Sequence, residues 1–323
     1  MIVGAYAASP PDLAAAPELE EQWYRRLRRA PGITGLELPF TTTLHPEGMA
    51  RLAHLLDQAW RNVVTCVPGT GRILLTDPFY GLASDDPAGR RRALDDLRTV
   101  HAEVTELSDV LGAGCVQAIQ VQSAPNRTVA SSSAAAFAAS LAELQALDWQ
   151  GAALMVEHCD AFLPDAAWAA QKGFLTLEEE ISAVQDARAS VTRLGHTINW
   201  ARSVIETRDP LEANRHSALL RETGALTALM FSGVSPDKTG YGEAWLDAHL
   251  PPAPELPSAG LPEADGAEPA SLLTTEAMGA ALATAGPLLY AGVKVGAKPG
   301  ATSVDQRLQP TLLTLGALAA LTS

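Results

Sequence analysis

The chain has 323 residues, of which 47% are hydrophobic and 19% are charged, and its formal net charge is −14. This composition supplies enough apolar side chains for a large core and excludes an intrinsically disordered chain. The negative charge argues against binding nucleic acid or an anionic membrane, because either partner requires a basic protein surface. We therefore expect a globular protein whose partner is a small molecule.

The cysteines and the first residues of the chain allow a prediction of its cellular compartment. Cys66, Cys115 and Cys159 are too few and too scattered for a disulfide framework. The first residues lack the basic leader and the long apolar run of a secretory signal, and we find no apolar stretch of about 18 residues that would span a membrane. These features predict a cytoplasmic protein.

Short apolar strands alternate with amphipathic helices along the chain. Helices are indicated where apolar residues recur every three or four positions, as they do at Leu19, Trp23 and Leu27. The third strand is expected to run into a loop that contains the glycine turn at residues 69–71. We predict strands within residues 2–7, 33–40, 62–70, 115–122, 152–162, 194–201, 225–232 and 288–296.

Local signals mark the ends of several helices. Thr176 and Glu179 form a capping-box pattern, which predicts the start of the helix that follows the fifth strand. Gly224 is expected to end a helix at about residues 210–222. Further helices are predicted around Met278 and at about residues 311–321.

The strict alternation of strands and helices predicts the fold class. Mostly apolar strands, each followed by a helix, form a parallel sheet, and eight such units favour a single (β/α)8 TIM barrel. An open, doubly wound sheet is the alternative. We expect residues 1–323 to form one domain with an exposed loop at about residues 251–270, which are rich in proline, alanine and acids. A domain boundary in that loop is the less favoured interpretation.

Strand periodicity indicates which side chains enter the barrel. Leu36 and Leu38 share the face that meets the helices, which turns Glu37 inward. By the same alternation Val293 and Val295 face the helices, and Lys294 turns inward. The strand ends thereby predict a polar ring at one barrel mouth, made of Tyr6, Glu37, Gln122, Glu157, Asn199 and Lys294.

Two of the charged members of this ring, Glu37 and Lys294, have apolar residues on both sides in their strands. An unpaired charge at Glu37 or Lys294 would cost roughly several kcal/mol if it were buried. We therefore expect Lys294 either to form an ion pair with a carboxylate or to have a shifted pKa. Both situations are common in active sites.

Two motifs carry a resemblance that covers the whole chain. GLELPF supplies a glutamate on the second strand, and LMVEH supplies a glutamate on the fifth. In this respect the chain resembles the xylose isomerase-like, or AP endonuclease 2-like, TIM-barrel superfamily of sugar isomerases and epimerases. The segments GAYAASP, GLAS and INWARSVIE are also similar to an uncharacterised bacterial family of such barrels, which carries a domain-of-unknown-function label.

The resemblance implies a metal site that this chain has largely lost. Metal-dependent members hold one divalent ion with a glutamate on strand five, an acid on strand six, a histidine nearby or on strand seven, and a glutamate on strand eight. Glu157 matches the first position, but Asn199 stands on strand six and Lys294 on strand eight. Because Arg202 and Lys294 would repel a cation, we expect no metal and no other cofactor. Instead, these two side chains are expected to bind an anionic or strongly polar substrate group.

The resulting hypothesis is an isomerase, epimerase or lyase that acts on a sugar or sugar acid. Glu157 would act as general base next to a carbonyl, with Lys294 or His158 as the acid partner. A Schiff base on Lys294 is the second route. The residues expected to bind the substrate are Tyr6, Glu37, Gln122, Asn199, Trp200, Arg202 and Lys298.

Two alternatives remain open at this point. A metal could be retained through Glu37, Glu157, His158 or Asp160. A noncatalytic sugar-binding barrel is the other alternative. The expected partner is a small-molecule sugar in each case, and a homodimer is compatible with the sequence.

Overall fold

A computed structural model of the protein describes residues 1–164, 171–187, 192–254 and 266–322. Within these residues parallel strands close into a barrel in the order β1 to β8, which confirms the predicted (β/α)8 fold and excludes the open sheet. The strands are β1 Ile2–Val3, β2 Gly35–Pro39, β3 Asn62–Thr65, β4 Val116–Val121, β5 Ala153–His158, β6 Leu194–Asn199, β7 Leu226–Phe231 and β8 Ala291–Val293.

Helices alternate with these strands, as the sequence predicts. No helix among the described residues is both long enough and apolar enough to cross a membrane. The helices that the structure describes are α1 Pro17–Arg28, α2 Met49–Leu55, α3 Val67–Leu74, α4 Pro87–Leu111, α5 Ala134–Gln145, α6 Leu177–Ala187, α7 Trp200–Thr207, α8 Glu212–Glu222, α9 Thr275–Ala285 and α10 Val304–Thr322.

Contacts group the chain into two units, which we describe separately. The first unit comprises Met1–Glu37, Leu55–Trp60 and Ile198–Ser323, and its core includes the fully buried Trp23 and Phe231. The second unit comprises Leu38–His54 and Arg61–Thr197. The side chains of Phe137 and Trp149 are completely buried in its core.

The register of the first unit sets the positions of its charged side chains. Ile2 on β1 pairs with Gly35 on one side and with Gly292 on the other. A side chain at Gly292 would lie 2.5 Å from the Ile2 carbonyl oxygen, so this pairing requires glycine. Glu37 and Lys294 each follow their glycine by two residues, and they therefore lie at the same level on either side of β1.

In the second unit β3, β4 and β5 pair in parallel, and all residues of β3 and β5 are buried. The register shifts between Asn62 and Val63, where β3 starts. Gln120 on β4 then lies beside Met155 on β5, two residues before Glu157. Burial on both faces explains the apolar stretches Val63–Val64, Ala118–Ile119 and Ala153–Val156 within these strands.

Short-range helix signals are confirmed. The Thr176 amide donates to the Glu179 carboxylate over 2.9 Å, and the Glu179 amide donates to the Thr176 hydroxyl over 3.3 Å. These two bonds form the predicted capping box at the start of α6. After α8 the chain adopts a φ of +64° at Gly224, whose amide donates to the Arg221 carbonyl. This left-handed residue ends the helix as predicted.

Three predicted segments have a different local structure. The strand predicted at residues 2–7 ends at Val3, and Tyr6 lies in a 3₁₀ turn, Ala5–Ala8. The glycine turn at residues 69–71 is not a loop but part of α3, because Gly69 packs so closely on the Phe40 carbonyl that a Cβ would lie 2.8 Å from it. The sixth strand ends at Asn199, and Trp200 begins α7, a helix that the sequence pattern did not predict.

The predicted exposed loop at residues 251–270 is described only at its ends. Pro251, Pro252 and Ala253 are buried, and the Ala253 amide donates to the Leu273 carbonyl over 2.9 Å. Residues 255–265 lie outside the described residues. The assignment of residues 1–323 to one domain stays a prediction.

Candidate functional site

A buried ion pair is the main polar feature of the first unit. The Lys294 ammonium lies 3.2 Å from the Glu37 carboxylate, and the two side chains are 1% and 0% exposed. Gly4 makes room for this pair, since a Cβ there would lie 2.9 Å from Lys294 Cγ and 3.0 Å from Glu37 Oε2. The ring of Tyr6 lies beneath the ammonium, with its centroid 5.3 Å from Nζ. The structure confirms that Lys294 forms an ion pair with a carboxylate, which was one of the two alternatives predicted from the sequence.

The end of β6 in the same unit carries neutral donors. The Ser232 hydroxyl donates to Asn199 Oδ1 over 3.0 Å. Within the part of the chain that the structure describes, Asn199 Nδ2 and the Trp200 indole nitrogen have no hydrogen-bond partner. Both residues are completely buried. Two consecutive N–H donors at a strand end are therefore available to an acceptor.

Arg202 does not present an uncompensated charge, contrary to the sequence-based expectation. Its guanidinium lies 2.9 Å from the Asp247 carboxylate, and both side chains are largely buried. Asp247 also lies 3.3 Å from the ring of His249. Sequence reasoning missed Asp247, because it lies in the long connection after β7, where no periodic pattern marks an inward-facing residue. The expectation of two free cations is thus corrected: Arg202 and Lys294 each face an acid.

In the second unit the carboxylate of Glu157 lies near the end of β5 and is completely buried. Glu157 is the residue that the sequence resemblance assigned to the fifth-strand glutamate position. The side chain that follows it in the strand, His158, points to the opposite face of the sheet. The two residues predicted to act together are thereby separated by the strand.

His158 is bound to a helix of the second unit. Its Nδ1 lies 2.8 Å from the carboxylate of Glu180 on α6, and the Ser123 hydroxyl donates to the other oxygen of that carboxylate. All three residues are almost completely buried. Sequence reasoning missed Ser123 and Glu180. Glu180 carried a usable signal, because it falls on the apolar face of its helix, three residues after Leu177.

Gln122 follows β4 and is buried. Neither atom of its amide has a hydrogen-bond partner among the residues that the structure describes. It lines a small cavity with Cys66, Thr70 and Tyr80, which has room for about one water molecule. Burial, reinforced by the charge of Asp96, raises the pKa of the Cys66 thiol to about 12. The thiol is therefore protonated at neutral pH and is not a nucleophile.

Two further residues named from the sequence lie outside these groups. The side chain of Asp160 is buried and forms an ion pair with Lys172, in a loop whose Gly173 amide donates to the Asp160 carbonyl over 2.8 Å. Lys298 is exposed in the segment that follows β8. The structure thus brings Tyr6, Glu37 and Lys294 together, and leaves Lys298 at the surface.

Comparison with known proteins assigns the chain to a family. The family model described as Domain of unknown function (DUF4862) matches residues 2–310. The chain belongs to this family. A protein of Salmonella typhimurium, named Uncharacterized protein STM3670, is 36% identical over 259 residues, which are 79% of each chain.

Solved structures with low sequence identity share the fold of this DUF4862 protein. A D-tagatose 3-epimerase-like protein has a TM-score of 0.56 and 13% identity, with 90% of each chain covered. The IolI protein, solved with a bound zinc atom, has a TM-score of 0.56 and 12% identity, covering 99% of this chain and 98% of the other. These likenesses, together with those to further sugar epimerases and isomerases, show that the chain shares the barrel fold of these proteins.

The zinc in that structure prompts a test of whether the present residues fit a divalent ion. A hard or borderline cation requires several anionic or imidazole ligands. In the first unit the carboxylate of Glu37 already faces the Lys294 ammonium, and Asn199 offers an amide where the resemblance implies an acid. An ion bound to Glu37 would lie against a buried positive charge. The side chains of Glu37 and Asn199 therefore do not fit a metal.

Proposed function

We propose that this DUF4862 protein is a metal-independent isomerase, epimerase or lyase that acts on a sugar or an anionic sugar derivative. The observation that carries the proposal is the Glu37–Lys294 ion pair, buried beside β1 with the ring of Tyr6. Buried ion pairs are weak contributors to stability, because desolvation offsets their attraction. A buried charged pair between β2 and the residue that follows β8 is therefore better explained by chemistry than by folding.

In the proposed reaction Glu157 removes a proton from the carbon next to a carbonyl group. Negative charge then develops on the carbonyl oxygen, and the Lys294 ammonium stabilises or protonates that oxygen. Glu37 keeps Lys294 in its charged form, because the neighbouring carboxylate favours the ammonium. The isomerisation is completed when Glu157 returns the proton to the former carbonyl carbon and the hydroxyl proton on the neighbouring carbon passes to the former carbonyl oxygen, directly or through Lys294.

The acid partner in this scheme is Lys294 rather than His158. His158 is held by Glu180 and lies on the opposite face of β5 from Glu157. We assign it a supporting role: it fixes the end of β5 against α6. The Schiff-base route is disfavoured, because a lysine that forms an ion pair with a carboxylate keeps its proton and loses nucleophilicity.

The similarity to sugar epimerases supports the substrate class. The matched structures share the barrel, and their names include D-tagatose 3-epimerase-like protein, L-ribulose 3-epimerase and 3-keto-D-glucoside 4-epimerase. In an epimerisation next to a ketone group, the proton on the carbon beside the carbonyl is removed first. A buried carboxylate can act as the base for that step.

A solvent-exchange assay tests the proposal, because it detects removal of the proton whichever product is formed. The protein is incubated in D₂O with D-tagatose, D-fructose, their phosphate esters and a sugar acid, and deuterium incorporation is followed by NMR. We expect incorporation that falls by about 10²–10⁴-fold in Glu157→Gln. Glu178→Gln, an exposed acid on α6, is the matched control.

Two outcomes would overturn this assignment. Stoichiometric manganese, zinc or magnesium in protein purified without chelator, with exchange lost after its removal, would contradict the metal-free mechanism. Tight sugar binding without exchange for any sugar would indicate the noncatalytic sugar-binding barrel instead.

A further inference from the structure

We infer that Asn199 and Trp200 are hydrogen-bond donors to uncharged oxygen atoms of the substrate, and that Ser232 is a positioning residue for Asn199. This inference rests on the proposed function, because it names what the same site binds. Both donors are completely buried, and both lack an acceptor within the described residues. They occupy consecutive positions where β6 ends and α7 begins.

Buried N–H groups without acceptors are rare, because each loses its hydrogen bonds to water on folding. The two unpaired donors lie at the carboxyl end of a barrel strand, which is where (β/α)8 enzymes bind their ligands. A ligand with acceptor atoms within reach of these donors would restore their hydrogen bonds. The position and the missing acceptors therefore point to a ligand rather than to a defect of packing.

Ser232 determines that the Asn199 side chain offers a hydrogen-bond donor, and not an acceptor, to a ligand. Its hydroxyl donates to Asn199 Oδ1 over 3.0 Å, which fixes the amide so that Nδ2 is the group left for a ligand. The indole nitrogen of Trp200 is a donor only. The complementary ligand atom must be a hydrogen-bond acceptor, such as a carbonyl or hydroxyl oxygen.

The charges of the same unit select against an anion. Arg202, three residues after Asn199, is paired with Asp247, and Lys294 is paired with Glu37. Each cation is thus balanced by an acid, and the donors of Asn199 and Trp200 are neutral. A phosphate or carboxylate would bring a net negative charge to these balanced pairs. We therefore assign an uncharged sugar as the substrate class.

The test combines calorimetric binding with the D₂O exchange assay, using D-tagatose and D-fructose against their phosphate esters. Ser232→Ala frees the Asn199 amide to rotate, and we expect KM and Kd for the uncharged sugar to rise by about tenfold, the effect of one neutral hydrogen bond, while kcat changes less. Ser232→Thr keeps the hydroxyl and should restore both values. Trp200→Phe should weaken binding similarly, and circular dichroism confirms that each variant folds.

The outcomes separate this inference from the proposed function. Binding of an uncharged sugar that weakens in Ser232→Ala, with no exchange in the unaltered protein, supports the donor site and overturns the catalytic proposal. Exchange and binding unchanged in both Ser232→Ala and Trp200→Phe overturn the donor site alone. Tighter binding of the phosphate esters, or no binding of any uncharged sugar, also overturns it.

Discussion

Buried acids are compensated in two different ways in the two units of the barrel, although the second unit also contains one acid–cation pair, Asp160 with Lys172. In the first unit acids are paired with cations, as in Glu37 with Lys294 and Asp247 with Arg202. In the second unit the carboxylate of Glu180 is held by the Ser123 hydroxyl and the ring of His158. Equally buried carboxylates can therefore be stabilised either by a cation or by hydrogen bonds. Removing Lys294 leaves the buried Glu37 without its cation, whereas removing Ser123 takes one hydrogen bond from the buried Glu180.

The largest effect is expected from Lys294→Met. This change leaves the Glu37 carboxylate buried without its cation, and we expect the free energy of unfolding to fall by about 3–5 kcal/mol. Urea denaturation measures it. In the double variant with Glu37→Gln most of the loss should be recovered, because no bare charge remains. An equal loss in the single and the double variant would contradict a charge-pair explanation.

Gly4→Ala tests the same pair without removing a charge. The added methyl group would lie 2.9 Å from Lys294 Cγ, so the lysine side chain must move. We expect destabilisation of about 1–3 kcal/mol, as for other overpacked sites, together with reduced exchange activity. Gly316→Ala, where no atom lies within 4 Å of the new group, is the matched control. Unfolding curves that are the same for the two variants would be inconsistent with a crowded pair.

In the second unit Ser123→Ala removes a neutral donor from Glu180. We expect a loss of about 1–2 kcal/mol in the free energy of unfolding, smaller than that of Lys294→Met. Thermal denaturation of the two variants side by side checks this order. If Ser123→Ala proved the more damaging, the contrast between paired charges and hydrogen bonds would be wrong.

The smallest effect concerns the partly exposed Glu179, which forms an ion pair with Arg127. Partial burial alone would raise the pKa of Glu179, but hydrogen bonds from Arg127 and Thr176 and the charge of Arg127 lower it below its ordinary value of 4.5. A lowered pKa in the folded state adds stability above pH 4.5, and this stability is lost as the pH falls through the folded-state pKa.

Glu179→Gln should therefore destabilise the protein at pH 7, by less than about 1 kcal/mol because of solvent screening. The difference from the unaltered protein should shrink below about pH 4, as measured by denaturation at several pH values. Glu178→Gln serves again as control. A difference that grows on acidification would show that the pKa of Glu179 is raised rather than lowered.

Much of the barrel follows from local patterns. The two-residue periodicity of apolar strands was sufficient to turn Glu37 and Lys294 inward, and the capping box of Thr176 and Glu179 was readable directly. Other local predictions were wrong where a residue contacts a backbone segment that is distant in the sequence. Gly69 is helical because it packs on the Phe40 carbonyl, a contact that no window around residues 69–71 contains.

The fold class and the inward orientation of Glu37 and Lys294 could be predicted from the amino-acid sequence, because periodicity and caps act over a few positions. The family resemblance followed from the GLELPF and LMVEH motifs. The interaction partners of the candidate residues could be identified only in the folded structure. Asp247 neutralises Arg202, Ser232 orients Asn199, and Glu180 binds His158. These partners are separated by tens of residues, and their side chains come together through barrel closure and loop geometry. The charge balance of the candidate site is consequently a property of the tertiary structure.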